Sequence, residues 1–331
     1  MSNLERDPAE SLCVADSSTG PTLDVLPGRL VPLSPRRPLE QGSDGSDHAR
    51  DETIVNRMLP QRHRRMVGAW CFVDHYGPDD ISTTRGMQVP PHPHSGLQTV
   101  SWLYEGAVHH QDSRGSDQLI SPGELGLMTS GRAISHSEAS PQDRPRLLHG
   151  MQLWVALPDG SRSGEPGWEH HRDLPAGEIG DARVRVLLGS LADIESQART
   201  YTPIVGAEVR LDGETSLPLR DEFEYAVVVA SGAVEIDGTR VAPGSLAYLG
   251  LGRTELTASG SAVFLLLGGE PFDEELVMWW NFIGRSHAEI ESMRKSWMET
   301  SDYGVVDSFG GERMPAPPLP QVSLRPRGRQ G

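Results

Sequence analysis

Two short blocks of alternating residues constrain this chain more than any other part of its sequence: Pro91-His92-Pro93-His94 and Ser135-His136-Ser137-Glu138. On a β-strand, side chains at i and i+2 point to the same face, so each block presents two polar groups together. Three imidazoles and one carboxylate from two strands can converge inside a barrel, where they would bind a divalent transition metal and leave coordination positions open. A lone histidine pair is more often structural, but two such pairs between strand and turn signals predict a metal site.

The rest of the sequence is typical of an all-β protein. Its 331 residues include 36 glycines and 26 prolines, and short apolar runs are separated by turn signals. This pattern favours a sandwich or a barrel, and the length allows two packed domains. One helix is predicted near the end, where the capping box Ser286-His-Ala-Glu289 precedes Ile290, Met293 and Trp297 at helical spacing.

An internal repeat indicates two related barrels. Glu105-Gly-Ala-Val108 is followed by Ser121-Pro-Gly-Glu-Leu125, and Ser231-Gly-Ala-Val234 is followed by Ala242-Pro-Gly-Ser-Leu246. In each copy a strand ends at glycine, a second strand begins, and a Pro-Gly turn leads into a third. A duplicated barrel is the simplest interpretation of this repeat.

We predict four segments along the chain. Residues 1–25 are polar and acidic and are expected to be a disordered tail. A metal-binding barrel follows at 26–175, with a surface loop near 41–48, and a second barrel occupies 176–300. Residues 301–331 are rich in proline and arginine and are expected to be an irregular tail.

Charge and cysteine content exclude several classes of protein. With 30 basic and 46 acidic residues, the net charge of −16 argues against direct binding to nucleic acids or anionic membranes. The start of the chain has no signal-peptide pattern, and no apolar run is long enough to span a bilayer. Cys13 and Cys71 are too few for a disulfide framework. We therefore expect a soluble, cytoplasmic protein.

Several motifs together resemble the pirin family of bicupins. The resemblance lies in the segments at 92–106, 110–113 and 128–138, with further matches at 72–78, 149–154 and 268–281, and it extends over about residues 53–285. It implies two tandem cupin barrels (double-stranded β-helix, or jelly-roll, domains), of which only the N-terminal one binds metal. Between His171 and His287 the sequence has no histidine or cysteine, which also suits a second barrel without metal.

The resemblance implies a ligand set as well. His92, His94, His136 and Glu138 fall on the four ligand positions of the family, which usually holds iron. We expect one divalent metal per chain, most simply Fe(II), although Cu, Ni, Mn and Zn suit the same donors. Gln98 stands where relatives often have glutamate, so we place Gln98 among the groups around the ligands. His110 either lines the cavity beside the metal or is an ordinary barrel histidine.

The function implied by the resemblance is that of a quercetin 2,3-dioxygenase. Such an enzyme would take a small aromatic flavonol and O2, open the flavonol ring and release carbon monoxide, with Glu138 accepting the proton of the substrate hydroxyl. The alternative is a non-catalytic, iron-dependent regulator that binds a transcription factor or a metabolic enzyme. A third reading is another metal-dependent reaction on the same scaffold. We expect a monomer.

Overall fold

The computed structural model describes residues 20–32 and 53–328, and nearly all of their regular secondary structure is β-strand. Its strands, numbered in chain order, are β1 (Leu23–Pro27), β2 (Arg29–Pro32), β3 (Ile54–Leu59), β4 (Trp70–Asp80), β5 (Gln88–His94), β6 (Leu97–Glu105), β7 (Val108–Asp112), β8 (Asp117–Ile120), β9 (Leu125–Thr129), β10 (Ile134–Ala139), β11 (Leu147–Ala156), β12 (Gly167–His171), β13 (Ala176–Ile179), β14 (Ala182–Leu191), β15 (Ile194–Glu195), β16 (Ile204–Pro218), β17 (Glu224–Ile236), β18 (Thr239–Val241), β19 (Ser245–Leu249), β20 (Glu255–Gly269), β21 (Val277–Trp279) and β22 (Phe282–Gly284). The helix α1 (His287–Glu299) and a 3₁₀ turn at Asp307–Phe309 follow. The predicted all-β class with a short C-terminal helix is confirmed.

The N-terminal barrel is built from two antiparallel sheets. One has seven strands in the order β12-β9-β6-β11-β4-β3-β2, and the other has four in the order β5-β10-β7-β8. Side chains alternate between the barrel interior and the outer face along each strand. On β6, for example, Val100 and Trp102 face outwards into a large buried cluster, whereas Ser101 points inwards. This alternation decides which side chains reach the interior.

The C-terminal barrel has one nine-stranded sheet. Its main order is β1-β19-β17-β20-β16-β14-β13, with β15 attached to β14 and β18 to β17. Strands β16 and β20 pair without a shift over their whole length, from Ile204 opposite Gly269 to Pro218 opposite Glu255. The interior is filled with apolar side chains such as Val209, Val227 and Phe264, so packing of hydrophobic groups stabilises this barrel.

The two barrels share a buried core. The indole Nε1–H of Trp70 donates to the backbone carbonyls of Val205 and Gly268, at 3.1 and 3.3 Å. Trp102 of the first barrel donates to Oε2 of Glu208 in the second, at 3.1 Å. A single hydrophobic cluster contains residues of both barrels, so two cupin domains pack here as one unit.

The N-terminal segment departs from the prediction. Residues 1–19 and the expected loop at 41–48 lie outside the described residues, but β1 is an ordered strand where disorder was expected up to residue 25. It pairs antiparallel with β19, on the edge of the C-terminal barrel, while β2 pairs with β3 in the N-terminal one. Pairing of backbone groups along that free edge, with Leu23 packed on the apolar core, explains the order. A domain boundary at residue 26 would therefore fall inside β1, a strand that precedes the N-terminal barrel in sequence but belongs to the C-terminal one.

The C-terminal segment packs against the N-terminal barrel. As predicted, Ser286 caps α1 by accepting the Glu289 N–H at 3.2 Å, and Ile290 and Trp297 are buried. Residues 301–328 are mostly irregular and pack on the first barrel. The Tyr303 hydroxyl lies 2.8 Å from Oγ of Ser95, directly after β5. Within the described residues, no helix is long and apolar enough to cross a membrane.

Candidate metal centre

Three histidines meet inside the N-terminal barrel. His92 and His94 lie on β5, and His136 lies directly opposite His92 on the neighbouring antiparallel strand β10. One ring nitrogen from each lies within 4.8 Å of the other two, and the ring centroids are 4.3 to 5.1 Å apart. All three side chains are buried. Among the described residues, these three histidines are the group of histidine, cysteine or acidic side chains whose ligand atoms all lie within 4.8 Å of one another.

The environment keeps these imidazoles neutral. Burial lowers the pKa of His92 to about 4, although Glu138 and the backbone at Pro90 act in the opposite direction. Burial and the neighbouring histidines lower the pKa of His94 and of His136 well below the ordinary value. Metal ligation requires the neutral ring with a free lone pair, so the three side chains have the protonation state that a cation needs.

The nitrogen atoms available for a ligand can be identified. His92 is 2.8 Å from the Pro90 carbonyl through Nδ1, so Nδ1–H donates there and Nε2 carries the lone pair. Nε2 of His136 and both ring nitrogens of His94 are buried without a hydrogen-bond partner, so either nitrogen of His94 can offer its lone pair. An unsatisfied buried polar atom is costly, and a bound cation would give His94 and His136 the partner that these nitrogens lack. The donor set fits a divalent transition metal.

Glu138 lies beside the triad. It is buried on β10, two residues after His136, and its charge favours protonation of His92. The register of β10 against β5 shifts between these positions, so that Glu138 is opposite Val89. Oε1 of Glu138 lies 3.4 Å from the Ser101 hydroxyl. The carboxylate is not a member of the 4.8 Å group, and its role as fourth ligand stays a prediction.

His110 contacts the triad directly. On β7, the neighbour of β10, its Nδ1 lies 3.3 Å from Nδ1 of His136, and its Nε2 lies 3.3 Å from Oδ2 of Asp112. Its ring stacks on Trp168 with centroids 3.7 Å apart. The side chain therefore has satisfied hydrogen bonds and also touches one of the candidate ligands.

The structure places Gln98 away from the histidines, which corrects our expectation that it would hydrogen-bond around the ligands. Its side-chain amide donates to Oγ1 of Thr129 at 3.0 Å and to the backbone carbonyl of Arg199 at 3.1 Å. Gln98 and Ser101 are three residues apart on β6 and so point to opposite faces. Since Ser101 faces Glu138, Gln98 faces the second barrel.

Sequence reasoning missed four interior residues near the triad. Ser101 lies between Glu138 and Gln152, and its hydroxyl is 3.1 Å from Oε1 of Gln152. The Nε2 of Gln152 is buried without a partner. Trp154 meets His94 edge-on at 5.1 Å and stacks on Phe72 at 4.1 Å. The alternation of side chains along 97–104 and 152–157 could have placed Ser101, Gln152 and Trp154 on interior faces. Their position beside the histidines could not be predicted, because it depends on how these strands pair with others.

Comparisons with known proteins agree with this architecture. Residues 52–155 match the Pirin family model and residues 204–301 match the model of the Pirin C-terminal cupin domain. The chain is 42% identical to a Pseudomonas aeruginosa protein provisionally named quercetin 2,3-dioxygenase, over 80% of this chain and 86% of that protein. It is 34% identical to a pirin-like protein of Caulobacter vibrioides, over 80% of this chain and 94% of the relative.

A solved structure extends the similarity to the whole fold. The crystal structure of quercetin 2,3-dioxygenase from Acinetobacter baumannii superposes with a TM-score of 0.82 and 35% sequence identity, covering 92% of this chain and 97% of that one. Both halves of the chain match their family models, and the relatives align over most of their length. The chain therefore belongs to the pirin family.

Proposed function

We propose that this protein is a metal-dependent dioxygenase that acts on flavonol-type substrates through Fe(II) held by His92, His94, His136 and Glu138. The observation that carries the proposal is the set of three buried, neutral imidazoles with ring nitrogens within 4.8 Å of one another. The similarity to a solved quercetin 2,3-dioxygenase over nearly the whole chain supports the substrate class. When bound, iron supplies a coordination site for adjacent substrate oxygens and for dioxygen.

Glu138 is the group that would accept the substrate proton. A flavonol offers its 3-hydroxyl and 4-carbonyl as adjacent oxygen donors to a bound metal, and the 3-hydroxyl would have to lose its proton on binding. A carboxylate in the barrel interior next to His92 is placed to take that proton. The Ser101 hydroxyl, 3.4 Å from Oε1, would hold the carboxylate in position before and after the transfer.

Three further interior residues would orient the substrate. The unpartnered Nε2 of Gln152 can donate a hydrogen bond to a ligand oxygen, which would satisfy a buried donor. The stacked pair of Trp154 and Phe72 adds an apolar wall beside His94 that suits a planar aromatic ring. In the overall reaction one O2 is consumed for each carbon monoxide released. Both atoms of O2 would enter the ring-opened organic product, and C3 of the flavonol would leave as carbon monoxide with the oxygen that it already carries.

The test is anaerobic loading with Fe(II), followed by oxygen uptake and carbon monoxide release with quercetin. The wild type should bind one iron per chain and release one carbon monoxide for each O2. His94→Ala should lose both metal and turnover, whereas exposed His63→Ala should keep both. Iron bound by the wild type without turnover would refute the flavonol proposal and favour a regulatory role. Turnover retained by His94→Ala would show that the reaction does not take place at this histidine site.

A further inference from the structure

We propose that Asp112, His110 and His136 form a hydrogen-bonded relay in which Asp112 and His110 act as positioning residues for the metal. The relay would hold His136 in the single tautomer that presents Nε2 to the metal. The inference rests on the proposed metal site, but it concerns residues that the ligand set does not include.

The first step is the contact between the carboxylate and His110. Asp112 is buried at the end of β7, and its Oδ2 lies 3.3 Å from Nε2 of His110. Its other oxygen, Oδ1, accepts the backbone N–H groups of Arg114 and Ser116 at 2.8 and 3.0 Å. An ionised carboxylate can only accept hydrogen bonds, so the Nε2 of His110 must carry the proton.

The tautomer of His136 follows from that of His110. A neutral imidazole with a proton on Nε2 has its lone pair on Nδ1, and Nδ1 of His110 lies 3.3 Å from Nδ1 of His136. His136 must therefore donate from Nδ1, which leaves the lone pair on its Nε2. That nitrogen is buried and has no hydrogen-bond partner, so it is available to a metal. One carboxylate thus determines the protonation of two successive rings.

The relay is held rigidly. The His110 ring is stacked on Trp168 with an interplanar angle of 8°, and both His110 and Asp112 are buried. Backbone N–H groups fix the carboxylate from the side opposite His110, so the three side chains have little freedom to rearrange. Partners of this kind orient a ligating histidine and raise its basicity, and their loss typically weakens metal binding about 10- to 100-fold.

The test compares Asp112→Asn with a matched control. Asparagine retains an oxygen for the two backbone N–H groups but places an NH2 group against the Nε2–H of His110. The control is Asp117→Asn, which makes the same change in a second carboxylate–histidine pair of the four-stranded sheet. There Asp117 contacts the partly exposed His109. Zn(II) affinity is measured by competition with a chromophoric chelator, and histidine tautomers are read from long-range ¹H–¹⁵N NMR spectra of metal-free and zinc-loaded protein.

The relay predicts protonated Nδ1 on His136 and protonated Nε2 on His110 in the metal-free wild type. It also predicts zinc affinity about 10- to 100-fold weaker in Asp112→Asn and unchanged in Asp117→Asn. If the wild type binds zinc and Asp112→Asn binds it equally well, or if either tautomer is reversed, the relay is wrong and the metal site stands. If the wild type binds no divalent metal, both proposals fail.

Discussion

The backbone N–H of Gly68 in the N-terminal barrel donates a hydrogen bond to Oε1 of Glu224 in the C-terminal barrel, across 2.8 Å. Glu224 is fully buried, and its second oxygen accepts the Tyr248 hydroxyl at 2.8 Å. The Arg64 guanidinium, 3.9 Å from the same carboxylate, lies over the Tyr248 ring. Gly68 has φ of +53°, and a Cβ there would lie 2.8 Å from the backbone of Gly269, so close approach of the barrels requires glycine.

This junction predicts a large effect of Glu224→Ala. The substitution leaves the N–H of Gly68, the hydroxyl of Tyr248 and the guanidinium of Arg64 buried without their carboxylate, so we expect a loss of about 3–5 kcal/mol in the free energy of unfolding. Urea denaturation measures it. The exposed neighbour Glu222 provides the control, because Glu222→Ala should stay within about 0.5 kcal/mol of wild type. Equal effects of the two variants would contradict the assigned role of the buried carboxylate.

The C-terminal segment should stabilise the metal-binding barrel. Tyr303 is buried, packs on Phe282 and Trp297, and hydrogen-bonds to Ser95. Tyr303→Ala removes an aromatic ring from this cluster, and we expect it to cost about 3–5 kcal/mol. Val305→Ala, at a site that is 66% exposed, should be nearly neutral in the same thermal or chemical unfolding experiment. A neutral Tyr303→Ala would show that the segment does not contribute to folding stability.

A buried histidine pair predicts a pH dependence of stability. The Nε2 atoms of His75 and His149 are 2.8 Å apart, and burial together with the charge of His149 lowers the pKa of His75 to about 4. The unfolded chain takes up a proton near pH 6.5, before the folded protein does. Stability should therefore fall between about pH 6.5 and pH 4, by about 3 kcal/mol from this residue.

His75→Gln isolates that contribution. The variant keeps a polar side chain but no longer titrates, so its unfolding free energy should fall less steeply than that of wild type across the same range. The metal-site histidines titrate in both proteins and cancel in the difference between the two curves. Parallel curves from pH 7 to pH 4 would contradict a buried, neutral His75.

Metal binding should stabilise the fold. A cation that binds only the folded protein raises the free energy of unfolding by about 2.7 kcal/mol when its free concentration is 100 times the dissociation constant. Zinc should therefore raise the melting temperature of the wild type, and a chelator should reverse the shift. His94→Ala should melt at the same temperature with and without zinc. A zinc-dependent shift that persists in this variant would place the binding elsewhere.

Much of the architecture could be read from local patterns. The spacing of His92 and His94, and of His136 and Glu138, requires only the two-residue period of a strand. Likewise, the capping box at Ser286 and the apolar spacing of Ile290 and Trp297 give the helix. These signals depend on a few neighbouring residues, so they remain visible in a single sequence, and the family motifs add specificity to them.

The remaining features depend on contacts between distant parts of the chain. Strand β1 belongs to the C-terminal barrel because the edge of β19 offers backbone partners, and nothing in residues 23–27 specifies that edge. Gln98 turns away from the metal because the outer face of β6 is covered by the second barrel.

The sequence by itself determined the fold class, the family and the three histidines, because period and motif are local properties. Only the tertiary structure decided that Asp112 and His110 stand behind His136 and that Tyr303 supports Ser95. Those relationships arise from strand register and from packing between segments as far apart in sequence as Ser95 and Tyr303, which are 208 residues apart. Within a strand, a register shift of one residue would turn each side chain to the opposite face.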